Sequence, residues 1–169
     1  MESELTGLFL AYSAKVLEQM TAHIEACLTK LGDDGIGARG GAHENAPGNL
    51  VLHLQGNVRQ WIIHGVGGAP DVRQRDLEFS TTSGWTAAGL SASLRETMNE
   101  AIQIIGKVSA SRMTERITPQ HDTLSVLEAI YKVVGHFQQH TGQIMYATKQ
   151  ITGDSLGFYQ PPAKATNPV

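Results

Sequence analysis

Gly135-His136-Phe137-Gln138-Gln139-His140-Thr141-Gly142-Gln143-Ile144 sits inside a segment where Leu127, Tyr131, Val134, Gln138, Met145 and Thr148 recur at helical intervals. Asp122 or Thr123 can cap its start and Gly153 can end it, so the spacing predicts a helix running to about Thr152. On it His136 and His140 stand four residues apart, about 40° in azimuth and about 6 Å along the axis. Two imidazoles so placed can share one metal ion. Ala129, Val133, Gln143 and Ala147 lie on the same side, away from the Leu127 and Tyr131 face, so this helix is expected to bury two faces, either as a central helix or by adding a second chain.

Three further segments carry helical periodicity. The first runs from about Leu5 to Leu31, with Leu5, Leu8, Phe9, Tyr12, Val16, Met20, Ile24 and Leu28 in phase and Gly32 as a C-cap. From Gly32 to Gly48 the chain holds six Gly and one Pro, too many breakers for regular structure. The second helix is expected to start at Asn49 as N-cap and to carry Leu50, Leu52, His53, Leu54, Val58, Trp61, Ile62 and Val66, before Gly67-Gly68-Ala69-Pro70 stops it. A polar connection from Asp71 to Ser83 follows. A third helix is expected from about Thr86 to Val108, with Leu90, Leu94, Met98, Ile102 and Ile105 in phase.

No segment alternates apolar and polar residues over a useful length, so the expected class is all-α, a four-helix bundle with long crossover loops. At 169 residues, with 41% hydrophobic and 17% charged residues, the chain (1–169) reads as a single domain with an extended tail over 157–169. A net charge of -3 lacks the basic face that nucleic acid requires. No window approaches the roughly 18 apolar residues of a membrane span. Met1-Glu2-Ser3-Glu4 is acidic where a signal peptide would be basic, so a cytoplasmic location is expected. One Cys, Cys27, removes disulfides and multi-thiolate metal sites, and it reads as a small core residue.

Two His rarely hold a metal, so a third ligand must come from another helix. His53 is the leading candidate because it interrupts an aliphatic run, Leu50-Val51-Leu52-His53-Leu54, where a buried imidazole needs a partner. A metal would serve, as would a hydrogen bond to a carbonyl or carboxylate. Neutral imidazole suits zinc, nickel, copper or ferrous iron, with zinc or nickel expected first. Asn57 and Gln143, each about one turn from a ligand candidate, are placed to orient a ligand or bound water. His64 lies about 16 Å along the axis from His53 and cannot join it; with His23, His43 and His121 it is expected to be solvated or locally hydrogen-bonded.

Other motifs fail on physical grounds. Gly35-Ile36-Gly37-Ala38-Arg39-Gly40 matches GxGxxG but follows a helix, with no βαβ unit around it. His43-Glu44 begins a zincin motif, yet Pro47 stands where the second His is needed. No Glu-x-x-His occurs for a di-iron site.

The stretch from Asn49 to Ile62, with Gly67-Gly68, Arg73, Arg75-Asp76 and Glu78-Phe79, resembles the DinB/YfiT-like metalloenzyme superfamily, and within it a bacterial subfamily of unknown function. Residues 135–144 are similar to that superfamily's HxxxHxGQ motif, and the resemblance covers about Asn49 to Ile151. It implies a four-helix bundle of non-sequential helix order, often a homodimer, with a divalent transition metal held by His53, His136 and His140. It also implies a small-molecule substrate, with water as nucleophile in a hydrolase, or a low-molecular-weight thiol in an S-transferase or isomerase. With no carboxylate beside the motif to act as general base, thiol activation is preferred slightly. The chain departs from the superfamily at Gly37–Asn45, where relatives carry Trp and Arg-Pro residues. The rival expectation is a non-catalytic bundle that binds a small ligand or a partner, its metal structural or absent.

Overall fold

The computed structural model describes residues 2–41 and 43–158. They are mostly helical, in the order α1 (Glu2–Gly35), α2 (Pro47–Val58), α3 (Arg75–Ser80), α4 (Ala87–Gly106) and α5 (Val126–Thr152), with two-residue strands β1 (Arg116–Ile117) and β2 (Leu124–Ser125) paired antiparallel. None of the described helices is long and apolar enough to cross a membrane. Of the tail expected over 157–169, residues 159–169 lie outside the described residues, and Phe158 stacks on His23 with ring centroids 4.2 Å apart.

The helix ends follow local chemistry, not always at the expected residue. Gly32 takes φ 60°, which ends the long run of α1 and leaves one further turn to Gly35. Helix α2 begins three residues earlier than expected, with Ala46 rather than Asn49 as N-cap and Pro47 in the first turn, where a missing N–H costs nothing. Asn49 is therefore no cap. Helix α5 is capped by Ser125 rather than Asp122 or Thr123: the Ser125 hydroxyl accepts from the Glu128 N–H while the Glu128 carboxylate accepts from the Ser125 N–H. Gly153, at φ 72°, closes it as expected. Thr86 caps α4, its hydroxyl accepting from Gly89 N–H. Beyond Val58 the chain of α2 continues as a wider π-helical run, Arg59–Val66.

Helices α1 and α2 each pack against both α4 and α5, with little contact between α1 and α2 themselves. The core between them holds Leu17, Ile24, Leu28, Leu54, Trp61, Leu94, Met98, Ile105, Ile130 and Phe137, all essentially inaccessible to water. The buried stripe of α5 is Val126, Ala129, Ile130, Val133, Phe137, Thr141, Ile144 and Thr148. Leu127 and Tyr131, expected inside, are exposed, as are Leu5, Leu8 and Tyr12 at the start of α1. Periodicity located both helices; of the two faces expected to be buried on α5, the side of Ala129 and Val133 is inside and that of Leu127 and Tyr131 is not, and the first turns of α1 were assigned to the wrong side. Each of these stretches has apolar residues around more than one side, and which side is buried depends on the neighbouring helices.

Candidate metal centre

His53 is brought to its place by α2, a helix buried on most of its circumference, and His136 and His140 by one turn of α5. His53 Nε2 lies 3.1 Å from His136 Nε2, which lies 3.1 Å from His140 Nε2. One ligand atom from each of the three falls within 4.8 Å of the others, which is the separation expected of donors to a common ion.

The other side of each ring decides its tautomer. His53 Nδ1 is 2.8 Å from Glu78 Oε2. Burial alone would raise the Glu78 carboxyl, but the hydrogen bonds from Arg73 and His53, with the charge of Arg73, outweigh it and hold the group below the usual carboxylate range. An ionised carboxylate only accepts, so Nδ1 of His53 carries the proton and Nε2 is a bare lone pair. Arg73 Nη2 approaches the same Nδ1 at 3.3 Å, but neither atom has a lone pair to offer, so this is a contact and not a bond. His140 Nδ1 donates to Gln143 Oε1 at 2.6 Å, which frees its Nε2 likewise. His136 Nδ1 is buried without a partner among the described residues. A single proton on His136 Nε2 can satisfy only one of its two neighbours, so at least one lone pair faces no hydrogen. A cation among the three answers that deficit, and the donor set of three neutral imidazoles fits a divalent transition metal.

The electrostatics agree. Burial, then the nearness of His140, His53, Arg73 and Lys132, pushes the His136 imidazole down to about 4, and burial pushes His140 down as well. Both rings are therefore neutral, as a ligand must be.

Glu78 and Arg73 belong to the segment read from sequence as a polar connection. It contains the short helix α3, and its Glu78 is 6% exposed. Arg73 donates to both Glu78 oxygens, Nε to Oε1 at 2.7 Å and Nη2 to Oε2 at 2.9 Å, and Phe79 packs its ring 4.9 Å from that of His53. Arg73 Nη1 also donates to Gln60 Oε1, and Gln60 in turn donates to Asp71. Asn49, fully buried, donates to the carbonyls of Glu78 and Thr81, at 2.9 Å each, and accepts from Arg39. The sequence marked Arg73 and Glu78-Phe79 only as part of the family resemblance, without a role; the one physical signal was charge, since Arg73 and Glu78 are five apart and of opposite sign.

The remaining polar candidates divide. Gln143 touches His140 as described. Asn57 is buried one turn beyond His53, and its Oδ1 lacks a partner among the described residues. His64 bonds locally to Ala69 O, whereas His23 is stacked on Phe158 with Nδ1 unpartnered, neither solvated nor hydrogen-bonded there. Cys27 is a buried free thiol, raised by burial and so unreactive. A cavity of about 630 Å³ opens one helical turn from two of the ligands, lined by Leu50 and Gln143 together with Arg39, Glu44, Tyr146 and Gln150.

A family model described as "Protein of unknown function (DUF1572)" matches residues 4–160. No curated protein matches the chain.

Proposed function

This chain belongs to the DUF1572 family, whose function is unknown, and from that premise we propose that it is a metal-dependent enzyme of the DinB/YfiT-like type, with His53, His136 and His140 holding one divalent transition metal ion. The observation that carries the reading is the convergence of three Nε2 atoms, two of them stripped of protons by acceptors behind the rings. The four long helices support a bundle in which α1 and α2 stand across from one another with α4 and α5 between them, an order that does not follow the sequence.

A divalent ion held by three neutral imidazoles keeps its full charge and an open position, which acidifies a bound thiol or water. Glu78 stands behind His53 with both oxygens engaged, so it is not free to take a proton from a bound water. That favours a low-molecular-weight thiol as cosubstrate, in an S-transferase or isomerase, over hydrolysis. The cavity beside Leu50 and Gln143 is of a size for a small-molecule substrate. The exposed Leu127 and Tyr131 on α5, with Leu5, Leu8 and Tyr12 on α1, support association as a homodimer. A reduced, buried Cys27 suits a cytoplasmic location.

Protein purified without a nickel column should contain close to one transition metal per chain by elemental analysis. His53→Ala, His136→Ala and His140→Ala should each lose it. Metal-free wild-type protein of normal stability, still metal-free after incubation with zinc or nickel, sinks the reading. With metal bound, thiol consumption in a screen against electrophilic substrates identifies the reaction class.

A further inference from the structure

Gly56 stands one turn along α2 from His53, in the interior of a helix where glycine is a poor residue. The reason lies across from it. A Cβ at position 56 would fall 1.9 Å from Glu78 Oε1, 2.8 Å from Glu78 Cδ and 3.2 Å from Arg73 Nε. The carboxylate cannot swing aside freely, because one oxygen is held by His53 and both by Arg73 in a setting where the two side chains are 7% and 4% exposed. Its backbone is held too, since Asn49 donates to the Glu78 and Thr81 carbonyls.

We propose that Gly56, Glu78 and Arg73 form a positioning device that fixes the orientation and tautomer of His53, so that its Nε2 lone pair is aimed at the shared point before any metal arrives. Gly56 supplies the space in which the carboxylate lies against α2. Arg73 fixes the carboxylate by a two-pronged bond, and Glu78 fixes the imidazole. The device is one-sided, because His136 has nothing at Nδ1 and His140 has only the exposed Gln143. His53 is thus the prealigned member of the three, and the α5 pair is the less constrained one. None of the three positioning residues supplies a ligand atom to the shared point between the imidazoles.

The proposal rests on the three-histidine reading for its consequence, but the device itself is measurable without metal. In chelator-treated full-length protein, the long-range ¹⁵N spectrum of His53, assigned by its loss in His53→Ala, should show the proton on Nδ1. Gly56→Ala and Glu78→Ala should convert it to a mixture of tautomers, and Glu78→Gln, whose amide oxygen still accepts, should restore it. Cobalt(II) titrated against a competing chelator should bind roughly 10–100-fold more weakly to Gly56→Ala and Glu78→Ala than to the wild type, with Glu78→Gln close to wild type. Helix propensity alone would make Gly56→Ala an improvement, so a loss there reports displacement of the Glu78 carboxylate rather than weakening of the helix. If Glu78→Ala does not fold, Arg73→Leu combined with Glu78→Met removes both charges together and serves in its place. A His53 that is not Nδ1–H in the wild type, or that keeps its tautomer and cobalt affinity in Gly56→Ala and the Glu78 variant, overturns the device. A wild type that binds no cobalt overturns the three-histidine reading instead, and the tautomer measurement still decides this one.

Discussion

The α2 side and the α5 side of the metal centre hold their histidines by different means. His53 is backed by an ion pair that is nearly inaccessible to water and is itself strapped to α2 through Asn49. His136 and His140 project from a helix whose own stripe is well packed, yet their outer nitrogens have no partner in one case and an exposed amide in the other. Rigidity on one side and latitude on the other is an arrangement that can accept an ion without first rebuilding the core. It also means that equivalent substitutions on the two sides should have very different consequences.

The largest effect should come from Glu78→Ala. It leaves the Arg73 guanidinium buried without its counter-charge, which should cost about 3–5 kcal/mol in urea unfolding. Loss of much less than that would mean that water reaches Arg73 and that the two sides are more alike than their burial indicates. Next is Asn49→Ala, which strands two carbonyls of the α3 segment and one donor of Arg39. It should destabilise the protein by about 1–3 kcal/mol and weaken metal binding without touching any ligand.

A third test concerns the α5 side in metal-free protein. His136 titrates at about 4 in the folded chain and near 6.5 when unfolded, so between these values the unfolded state binds more protons. Stability is then fully present above about pH 6.5 and declines as pH falls toward 4. Glu78, whose folded value is depressed, adds its own loss only below the ordinary carboxylate range. After allowance for the water that reaches the ring, the His136 contribution should be on the order of 1 kcal/mol. Melting curves at pH 4.5 and 7 should show it in wild type and not in His136→Ala. The smallest effect belongs to Gln143→Ala, which should leave stability within about 0.5 kcal/mol, because the residue is exposed. A loss of cobalt affinity there as large as in Glu78→Ala would erase the distinction between the sides.

How far the sequence could be read differs along the same line. The His136–His140 pair was legible because both residues sit on one helix, where spacing converts directly into distance. His53 was legible as an imidazole in an aliphatic run, though the run could not say whether its partner would be a metal or a carboxylate. The structure gives it a carboxylate at Nδ1 and two imidazoles at Nε2, so both needs meet at one ring. The Asp71–Ser83 segment was read as a connection because six helical residues with three charges, Arg75, Asp76 and Glu78, give no apolar period to detect. Asn49 misled for a related reason: an Asn before an apolar run has the composition of a cap, and only the neighbouring chain reveals that its amide is used elsewhere.

By itself the sequence determined that this protein is helical, roughly where its long helices run, and which two imidazoles lie on one turn. Each of these follows from forces that act within a few residues: periodic burial, capping and the breaking effect of Gly and Pro. Only the tertiary structure decided which face of α5 is buried, that α3 lies against α2, and that Gly56 leaves room for the Glu78 carboxylate behind His53. Those outcomes depend on residues between 20 and 83 positions apart meeting in space, and no local pattern encodes the meeting of a buried charge with its partner.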